Sequence, residues 1–311
     1  MTNNLQKIKD AYDNRDLEAL KLLATPVKRE INKRVNFRSA LMLSCNKLEH
    51  LLKIDALEAD CLILNLEDGV SVEDKPFALV LCAIFLSHHK RCDKMLVVRI
   101  NELSCSGYDE IAYLNQFMPD AIRIPKIRDP LEVESVCKLL KNEIDLHLSI
   151  ETKEAWKNLS LLGVNKKVTT FYLGILDFFA DIGMPQTLIK IDNPTLLYML
   201  AHFLITCRSM DIKPVSFVFQ EFKNLELFKS WISLEKEMGY SAKGCISPTQ
   251  AKIVNDSFLV TDQEKIVAQK IVQLFELNAK RGITGFVDED LGFIDEPIYK
   301  GALVIMSDLR H

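Results

Sequence analysis

Residues 61–101 read CLILNLEDGVSVEDKPFALVLCAIFLSHHKRCDKMLVVRIN. Two short apolar runs, Cys61–Leu66 and Met95–Ile100, flank a longer helical pattern over Pro76–Lys90. A strand, a helix and a second strand in that order predict a right-handed unit with two parallel strands. Because the same order recurs along most of the chain, this stretch predicts the fold class.

Six further strand candidates extend the pattern into a series of eight strands. The other strand candidates are Ser39–Leu43, Ala121–Ile124, Leu146–Ile150, Thr169–Leu173, Pro214–Phe219 and Gly244–Ile246, and further helix candidates are Lys47–Leu57, Glu132–Lys141, Thr195–Met210 and Leu225–Met238. Eight strands, each followed by a helix, predict an α/β fold of the (β/α)8 TIM-barrel type. An open, doubly wound sheet is the alternative, although neither its G-x-G-x-x-G pattern nor a P-loop is found.

The predicted barrel is flanked by two further segments. Residues 1–37 are predicted to form an N-terminal helical extension, with Asp16 as a helix N-cap. Residues 38–258 are predicted to form the barrel, as a catalytic domain. Residues 259–311 are predicted to hold a C-terminal helix, Asp262–Lys280, followed by an acidic, glycine-punctuated lid or oligomerisation segment.

Composition excludes several protein classes. The 311 residues are 48% hydrophobic and 26% charged, with a net charge of −4, which argues against disorder and against a basic nucleic-acid-binding surface. The locally basic stretch over residues 28–38 is interpreted as a solvated helix, with a polyanion site as the alternative. No run of 18 apolar residues predicts a membrane span. The eight cysteines form no Cys-x-x-Cys pair, and no signal-peptide core is found, so a cytoplasmic location is predicted.

Charged side chains follow the predicted strands at their carboxyl ends, where barrel enzymes place their active sites. They are Glu67, Asp68, Arg99, Lys126, Glu151 and Asp177, together with the polar Asn101. Arg38, at the start of the first strand, is grouped with them. We therefore expect these groups to converge on one mouth of the barrel.

Glu151 and Asp177 are one strand–helix unit apart. Because adjacent strands lie about 4.8 Å apart, their carboxylates can reach one cation. Two oxygen ligands with open positions suit Mg²⁺ better than zinc. The alternative is that Glu151 caps the next helix and that Asp177 pairs locally.

Arg99 lies in a run that is otherwise apolar. A buried guanidinium needs a carboxylate partner, which a neighbour or a substrate supplies. Lys126 raises the same question, but a lysine that reaches solvent just after a strand is equally compatible with its position.

The chain resembles the HpcH/HpaI aldolase and citrate lyase β-subunit family. The matching segments, in the family's order, are Arg38–Leu41, Leu64–Val70 with Asp74-Lys75, Val98–Asn101, Ile124–Lys126, Ile150–Thr152, Gly174–Asp177 with Gly183, Gly244–Gln250 and Gly292–Pro297. They span about residues 38–302, so that residues 1–37 lie outside the resemblance.

This resemblance implies a carbon–carbon lyase on a TIM barrel that depends on Mg²⁺, with Mn²⁺ as a substitute. Such enzymes cleave 3-hydroxyacyl thioesters of coenzyme A or an acyl carrier protein, for example citryl-, malyl- or citramalyl-thioesters. The products are a 2-oxo acid and an acyl thioester. A homo-oligomer, a trimer or a multiple of it, is also implied.

The resemblance assigns roles to residues of this chain. Glu151 and Asp177 bind Mg²⁺, and Glu67 and Asp68 hold water on the metal. Arg38, Arg99 and Lys126 bind substrate. Asp295, with Asp290 as the alternative, transfers a proton from a lid across a subunit boundary.

Three positions depart from the family pattern. Asn65 replaces an Asp, Ser247 a His and Leu79 an Arg, which leaves the substrate open. Thioester hydrolysis or condensation on the same fold, and a non-catalytic assembly partner, are the alternative functions.

Overall fold

The computed structural model describes residues 2–33, 36–90 and 92–307. The chain divides into two compact units, Met1–Ser257 and Phe258–His311. The strands of the first unit are β1 (Ser39–Ser44), β2 (Cys61–Asn65), β3 (Met95–Arg99), β4 (Ala121–Ile124), β5 (Asp145–Ile150), β6 (Val168–Leu173), β7 (Lys213–Val215) and β8 (Lys243–Cys245). They form one parallel sheet in the order β7-β6-β5-β4-β3-β2-β1-β8.

Helices surround this sheet. They are α1 (Thr2–Asp13), α2 (Leu17–Leu23), α3 (Leu48–Leu51), α4 (Lys75–His88), α5 (Tyr108–Leu114), α6 (Pro130–Leu139), α7 (Lys153–Lys157), α8 (Ile175–Asp181), α9 (Pro194–Ser209), α10 (Leu225–Met238) and α11 (Pro248–Ser257). Short 3-10 turns lie at Ile54–Ala56, Val72–Asp74, Asn115–Phe117, Leu159–Leu161 and Gln186–Leu188, and a π turn lies at Leu103–Gly107. Among the described helices, none combines the length and the apolar character that a bilayer span needs.

The barrel nearly closes between β7 and β8. Ser216, just after β7, forms a single parallel bridge with Lys243. The amide of Ser216 donates to the carbonyl of Ala242 at 2.9 Å, and the amide of Gly244 donates to the carbonyl of Ser216 at 3.0 Å. Eight parallel strands in a nearly closed ring, with helices outside, confirm the predicted (β/α)8 fold and exclude the open doubly wound sheet.

The strands are buried on both faces, as their continuous apolar runs predict. Every residue of β2, β3 and β4 is buried. Residues in one register row face the same side of a sheet, and one row joins Asn65, Arg99, Arg123 and His147. An apolar cluster fills the barrel toward its amino end, with Phe37, Ala40, Cys61, Ile63, Met95, Val97, Ala121, Tyr172, Val215 and Ala242.

The N-terminal segment differs from its prediction. Asp16 does cap α2, because its side chain accepts a hydrogen bond from the amide of Ala19 at 2.9 Å. However, residues 24–33 and 36–38 are not helical. Arg29 is buried there and donates to the carbonyls of His89 and Met118 at 2.7 and 2.5 Å. The solvated basic helix is therefore wrong over these residues, while Arg34 lies outside the described residues.

The second helix prediction that fails is Lys47–Leu57. Only α3 and the turn Ile54–Ala56 are found in that range. The loop between β1 and β2 is thus nearly all turn.

The second unit contains α12 (Asp262–Ala279), α13 (Glu296–Ser307) and the antiparallel strands β9 (Gly285–Asp288) and β10 (Gly292–Asp295). The rings of Phe275 and Tyr299 stack with centroids 4.4 Å apart, which joins α12 to α13. The C-terminal helix predicted as Asp262–Lys280 is therefore found, as α12.

Candidate functional site

A cavity of about 180 Å³ lies at the carboxyl end of the barrel strands. Charged, polar and apolar residues from all eight strand–loop units line it. They are Met42, Asp68, Arg99, Arg123, Glu151, Leu173, Gly174, Ile175, Leu176, Asp177, Val218, Gln220 and Ile246. The sequence-predicted residues Asp68, Arg99, Glu151 and Asp177 are thus brought together around one space.

Arg99 lies between three carboxylates. Its Nη2 forms an ion pair with Oε2 of Glu67, and it lies 3.1 Å from Oδ2 of Asp68 and 4.0 Å from Oε1 of Glu151. Arg99 is only 5% exposed. Its Nε is buried and has no hydrogen-bond partner among the described residues. The guanidinium therefore retains one donor beyond the carboxylates that hold it.

The loop after β2 presents Glu67 and Asp68. Asn65, buried at the end of the strand, accepts from the amide of Glu67 at 3.3 Å and donates to the carbonyl of Asp68 at 2.5 Å. Lys75, the first residue of α4, donates to the carbonyls of Leu66 and Glu67 at 3.3 and 3.4 Å. The amide and ammonium groups therefore fix the backbone that carries both carboxylates.

Glu151 follows β5 and is 2% exposed. Its Oε1 accepts a hydrogen bond from the amide of Lys126 at 2.7 Å. Lys126 has a φ of +48°, in the left-handed region that most residues avoid. A Cβ on Gly174 would collide with Oε2 of Glu151, so the absence of a side chain at 174 makes room for this carboxylate.

Asp177 lies in the first turn of α8 and is exposed. It forms no ion pair with any of the described residues. The N-cap of α7 is Thr152, whose side chain accepts from the amide of Ala155 at 3.1 Å. The alternative in which Glu151 caps that helix and Asp177 pairs locally is therefore wrong.

The donor set at this edge of the cavity consists of oxygen atoms. One carboxylate is buried and held by a backbone amide, and the other is open. Over residues 2–33, 36–90 and 92–307, no group of three or more His, Cys, Asp or Glu side chains is arranged to hold a metal ion. Two carboxylates with room for water fit Mg²⁺, which keeps several waters and takes one or two carboxylates in proteins.

The pKa values of Glu67 and Asp68 are shifted in opposite directions. Burial raises the pKa of Glu67 to about 7, although the Arg99 guanidinium opposes that shift. Burial also acts to raise the pKa of Asp68, but Arg99 and the hydrogen bond with Glu67 outweigh it and lower that pKa. Near neutral pH, one carboxyl can therefore exchange a proton while its neighbour stays ionised.

Burial and neighbouring charges have opposing effects on the pKa values of both Glu151 and Arg99. Burial raises the pKa of Glu151, while Arg99 and Arg123 oppose this shift. Burial alone would lower the pKa of Arg99, but the carboxylates of Glu151 and Glu67 more than compensate and raise it. Arg99 is therefore permanently charged, and the surrounding acids hold that charge.

Lys126 faces two carboxylates. Its Nζ lies 2.7 Å from Oε1 of Glu102 and 3.5 Å from Oε1 of Glu67. The hydrogen bond with Glu102 is the main reason that the pKa of Lys126 is raised. The side chain is 31% exposed, so it lies at the rim of the charged cluster.

Arg38 is not brought to this mouth. It precedes β1 and forms a bidentate ion pair with Asp60, at 2.8 Å from Nε and 3.1 Å from Nη2. Its Nη1 donates to the carbonyl of Asn255 at 3.0 Å. The six residues of β1 run about 20 Å from Arg38 toward the mouth of the barrel. Arg38 therefore lies at the amino end, and the expectation that it reaches the mouth with the substrate-binding residues is wrong.

Asp295 and Asp290 belong to the second unit. Oδ1 of Asp295 accepts from the amide of Ile298 at 3.2 Å at the start of α13. Asp290 forms an ion pair with Lys270 at 2.7 Å. Both acids therefore have local partners within that unit.

Sequence reasoning missed three residues of the charged network. Arg123 lines the cavity, Glu102 pairs with Lys126, and Lys75 forms a hydrogen bond with Oδ1 of Asn101. A signal for Arg123 was available, because it interrupts an apolar strand as Arg99 does.

The family departures have structural explanations at two positions. Asn65 holds the loop after β2, as described above. The Ser247 hydroxyl accepts from the amide of Gln250 at 3.2 Å at the start of α11. Leu79 lines a separate groove beside α2 and α4.

Comparisons with known proteins place this geometry in context. The pattern of the HpcH/HpaI aldolase/citrate lyase family matches residues 38–248. A (3S)-malyl-CoA thioesterase of Cereibacter sphaeroides is 26% identical over 247 residues, which is 79% of this chain and 85% of the relative. A mitochondrial citramalyl-CoA lyase of Rattus norvegicus is 24% identical, over 89% of this chain and 87% of the relative.

The fold is also similar to that of solved structures. Protein CitE from Mycobacterium tuberculosis, in complex with magnesium, acetoacetate and coenzyme A, matches with a TM-score of 0.69 and 18% identity. The match covers 89% of this chain and 99% of that one.

Proposed function

Because this chain belongs to the HpcH/HpaI aldolase/citrate lyase family, and is a carbon–carbon lyase of that type, we propose that it cleaves a 3-hydroxyacyl thioester of coenzyme A or an acyl carrier protein with the help of Mg²⁺. The products are a 2-oxo acid and an acyl thioester. Family membership confirms the resemblance and the enzyme class stated from the sequence.

One observation carries the proposal. Arg99, with three carboxylates around it, shares a small cavity with Glu151 and Asp177 at the carboxyl end of the barrel. Barrel enzymes work at that end. Aldol-type cleavage of a 3-hydroxyacyl thioester needs a cation that binds the carboxylate next to the hydroxyl-bearing carbon, and a divalent ion held by acidic side chains.

Glu151 and Asp177 are the residues that we propose to hold Mg²⁺. A Mg²⁺ ion held by these two carboxylates would supply a Lewis acid for the oxygen of the forming carbonyl. Similar solved structures from Mycobacterium tuberculosis are complexes with magnesium, which supports a Mg²⁺ site in this chain. Mn²⁺ is the expected substitute, since it accepts the same oxygen ligands.

Arg99 is proposed to bind the carboxylate of the 2-oxo-acid half. Its planar fork suits two parallel hydrogen bonds to a carboxylate. Lys126, at the rim, is proposed to assist substrate binding, and Asp68 stays ionised to hold Arg99 in place.

Glu67 is proposed to accept the proton of the substrate hydroxyl. As the O–H bond breaks, its electron pair forms the carbonyl, the carbon–carbon bond breaks, and the electrons of that bond form the enolate of the acyl thioester. A carboxyl whose pKa is near 7 is suited to this proton transfer at neutral pH.

The enolate must then be protonated at carbon. We propose that Asp295 supplies this proton, with Asp290 as the alternative, when the segment 282–300 covers an active site of a neighbouring subunit. Closure would exclude water from the reacting carbon. We also propose that the protein forms a homo-oligomer, a trimer or a multiple of it, and that it is cytoplasmic.

The test is an assay on purified protein with citryl-, malyl- and citramalyl-CoA, with and without Mg²⁺. We expect one of them to yield a 2-oxo acid and an acyl-CoA in equal amounts. Glu132→Gln, an acid on α6 that lines no part of the cavity, is the matched control for Glu151→Gln. Absence of a 2-oxo acid from every substrate would contradict the proposal.

Thioester hydrolysis is the second candidate, and the relative named (3S)-malyl-CoA thioesterase favours it. Free coenzyme A without a 2-oxo acid would identify hydrolysis alone. Condensation would appear as the reverse reaction from a 2-oxo acid and an acyl-CoA. Inactivity toward all these compounds, despite binding of Mg²⁺, would favour the non-catalytic assembly partner.

A further inference from the structure

Arg123 is a buried cation at the floor of the cavity. It lies on β4, in the register row between Arg99 and His147, and is 5% exposed. It lines the same cavity as Arg99 and Glu151. The cavity therefore contains two guanidinium groups on adjacent strands.

The guanidinium of Arg123 is held from behind. Its Nε donates to Oγ of Ser149 at 2.8 Å, and its Cζ lies 4.0 Å from the centre of the Tyr172 ring. These two contacts fix the plane of the group. Within the described part of the chain, no hydrogen bond joins either Nη to another residue.

The pairing of Arg123 differs from that of other buried cations. Arg29, Arg99 and Lys243 each have a carboxylate within 4.0 Å. Across the described residues, Arg123 has none at that distance. A buried guanidinium without an anion is unfavourable, so its retention points to an anion that comes from outside the chain.

Arg123 remains charged at neutral pH. Burial, and then the neighbouring Arg99, lower the pKa of Arg123 to about 10. The group is therefore a cation that a negatively charged ligand would stabilise.

We propose that Arg123 is a specificity-determining residue that binds a second carboxylate on the 2-oxo-acid half of the substrate. This inference rests on the proposed function, which leaves the first carboxylate to Arg99. The product would then be a small 2-oxo dicarboxylic acid. The substrate would be the thioester of a hydroxy acid that carries two free carboxylates.

The cavity suits this class of ligand. Its volume is about 180 Å³, and Met42, Val218 and Ile246 supply apolar surface between the charged groups. A short carbon chain with a carboxylate at each end would place one end on each guanidinium. A monocarboxylic 2-oxo acid would leave Arg123 without its anion.

The experiment compares the binding of oxaloacetate and pyruvate, in the presence of Mg²⁺, by calorimetry on the full chain. We expect the unmodified protein to bind oxaloacetate more tightly. Arg123→Met, similar in length and uncharged, should weaken oxaloacetate binding about 100-fold and change pyruvate binding less than about 3-fold, since only oxaloacetate has a second carboxylate that would be left buried and unpaired. Arg123→Lys should recover part of the loss.

Several outcomes would overturn the inference. Equal losses of affinity for both ligands in Arg123→Met would mean that Arg123 only balances the charge of Glu151. Tighter binding of pyruvate than of oxaloacetate by the unmodified protein would also contradict the inference, even if Arg123→Met failed to fold. If neither 2-oxo acid binds and no thioester is cleaved, the proposed function fails as well, whereas binding of pyruvate alone contradicts only the role of Arg123.

Discussion

The two ends of the barrel treat buried charge in opposite ways. At the amino end, Arg29 pairs with Asp120, Arg38 with Asp60 and Lys243 with Glu235, at 3.5, 2.8 and 2.5 Å. At the carboxyl end, Arg99 is shared by three acids, while Asp177 and Arg123 form no ion pair with a described residue. The amino end is internally compensated, and the carboxyl end is arranged for ions and ligands from outside. Among the described residues, the unpaired charges of Asp177 and Arg123 therefore distinguish the carboxyl end from the amino end.

The largest expected effect is at the carboxyl end. Glu151→Gln or Asp177→Asn should reduce Mg²⁺-stimulated turnover about 1,000-fold, because the ion loses a charged ligand. Turnover as a function of Mg²⁺ concentration is the measurement. Asp192→Asn, which alters an exposed acid outside this cavity, is the control.

An unchanged Mg²⁺ dependence in Glu151→Gln would remove the metal site from this end of the barrel. Glu67 and Asp68 would then be the candidate metal ligands.

The matching change at the amino end should affect stability alone. Lys243→Met leaves Glu235 buried without its cation and should lower the free energy of unfolding by about 3–5 kcal/mol. Urea denaturation measures this change. The kcat of the folded fraction should be the same as that of the unmodified protein, and a fall in kcat without loss of stability would break the proposed division between the ends.

Arg99→Lys tests whether shape matters as well as charge at the mouth. We expect a loss of about 100-fold in kcat/KM, because an ammonium cannot form the two parallel bonds of the guanidinium. Steady-state kinetics with the best thioester measure it. Full activity of Arg99→Lys would reduce Arg99 to a source of charge.

The smallest effect concerns the interior between the two ends. Burial lowers the pKa of His147 from 6.5 to about 3. Between those values the unfolded chain binds a proton that the folded chain does not, so stability falls as pH falls below 6.5.

His147→Phe should flatten this dependence. Denaturation in urea at pH 7, 6 and 5 gives the slope for both proteins. Equal slopes would assign the acid sensitivity to other groups, and would leave His147 as a packing residue whose Nδ1 lies 3.1 Å from the Tyr172 hydroxyl.

Sequence patterns predicted the strands well because most are short, predominantly apolar runs that are largely buried on both faces. Seven of the eight match to within one or two residues at each end. The exception is β7, predicted as Pro214–Phe219 and observed as Lys213–Val215. Ser216 makes only the bridge at the closure, which no periodicity could reveal.

The segment 24–33 was unpredictable for a different reason. Its conformation depends on single side chains with distant partners, such as Arg29 with the carbonyls of His89 and Met118. Local periodicity contains no information about such contacts.

The site was predicted where chemistry and position agreed. Glu151 and Asp177 were identified because they follow strands, and Arg99 because it interrupts one. Arg38 was misplaced because it begins a strand instead of ending one. Arg123 was not predicted because it lies inside β4, whereas the position that marks the end of this strand is Lys126.

The closure between β7 and β8 also has a dynamic consequence. Seven of the eight junctions in the barrel are ladders of paired strands, whereas this one depends on a bridge at Ser216. Local opening follows the path with the fewest backbone hydrogen bonds to break. In hydrogen–deuterium exchange, the amides of Ser216 and Gly244 should therefore exchange before those of β2 and β3, and the ring should open there before it unfolds elsewhere.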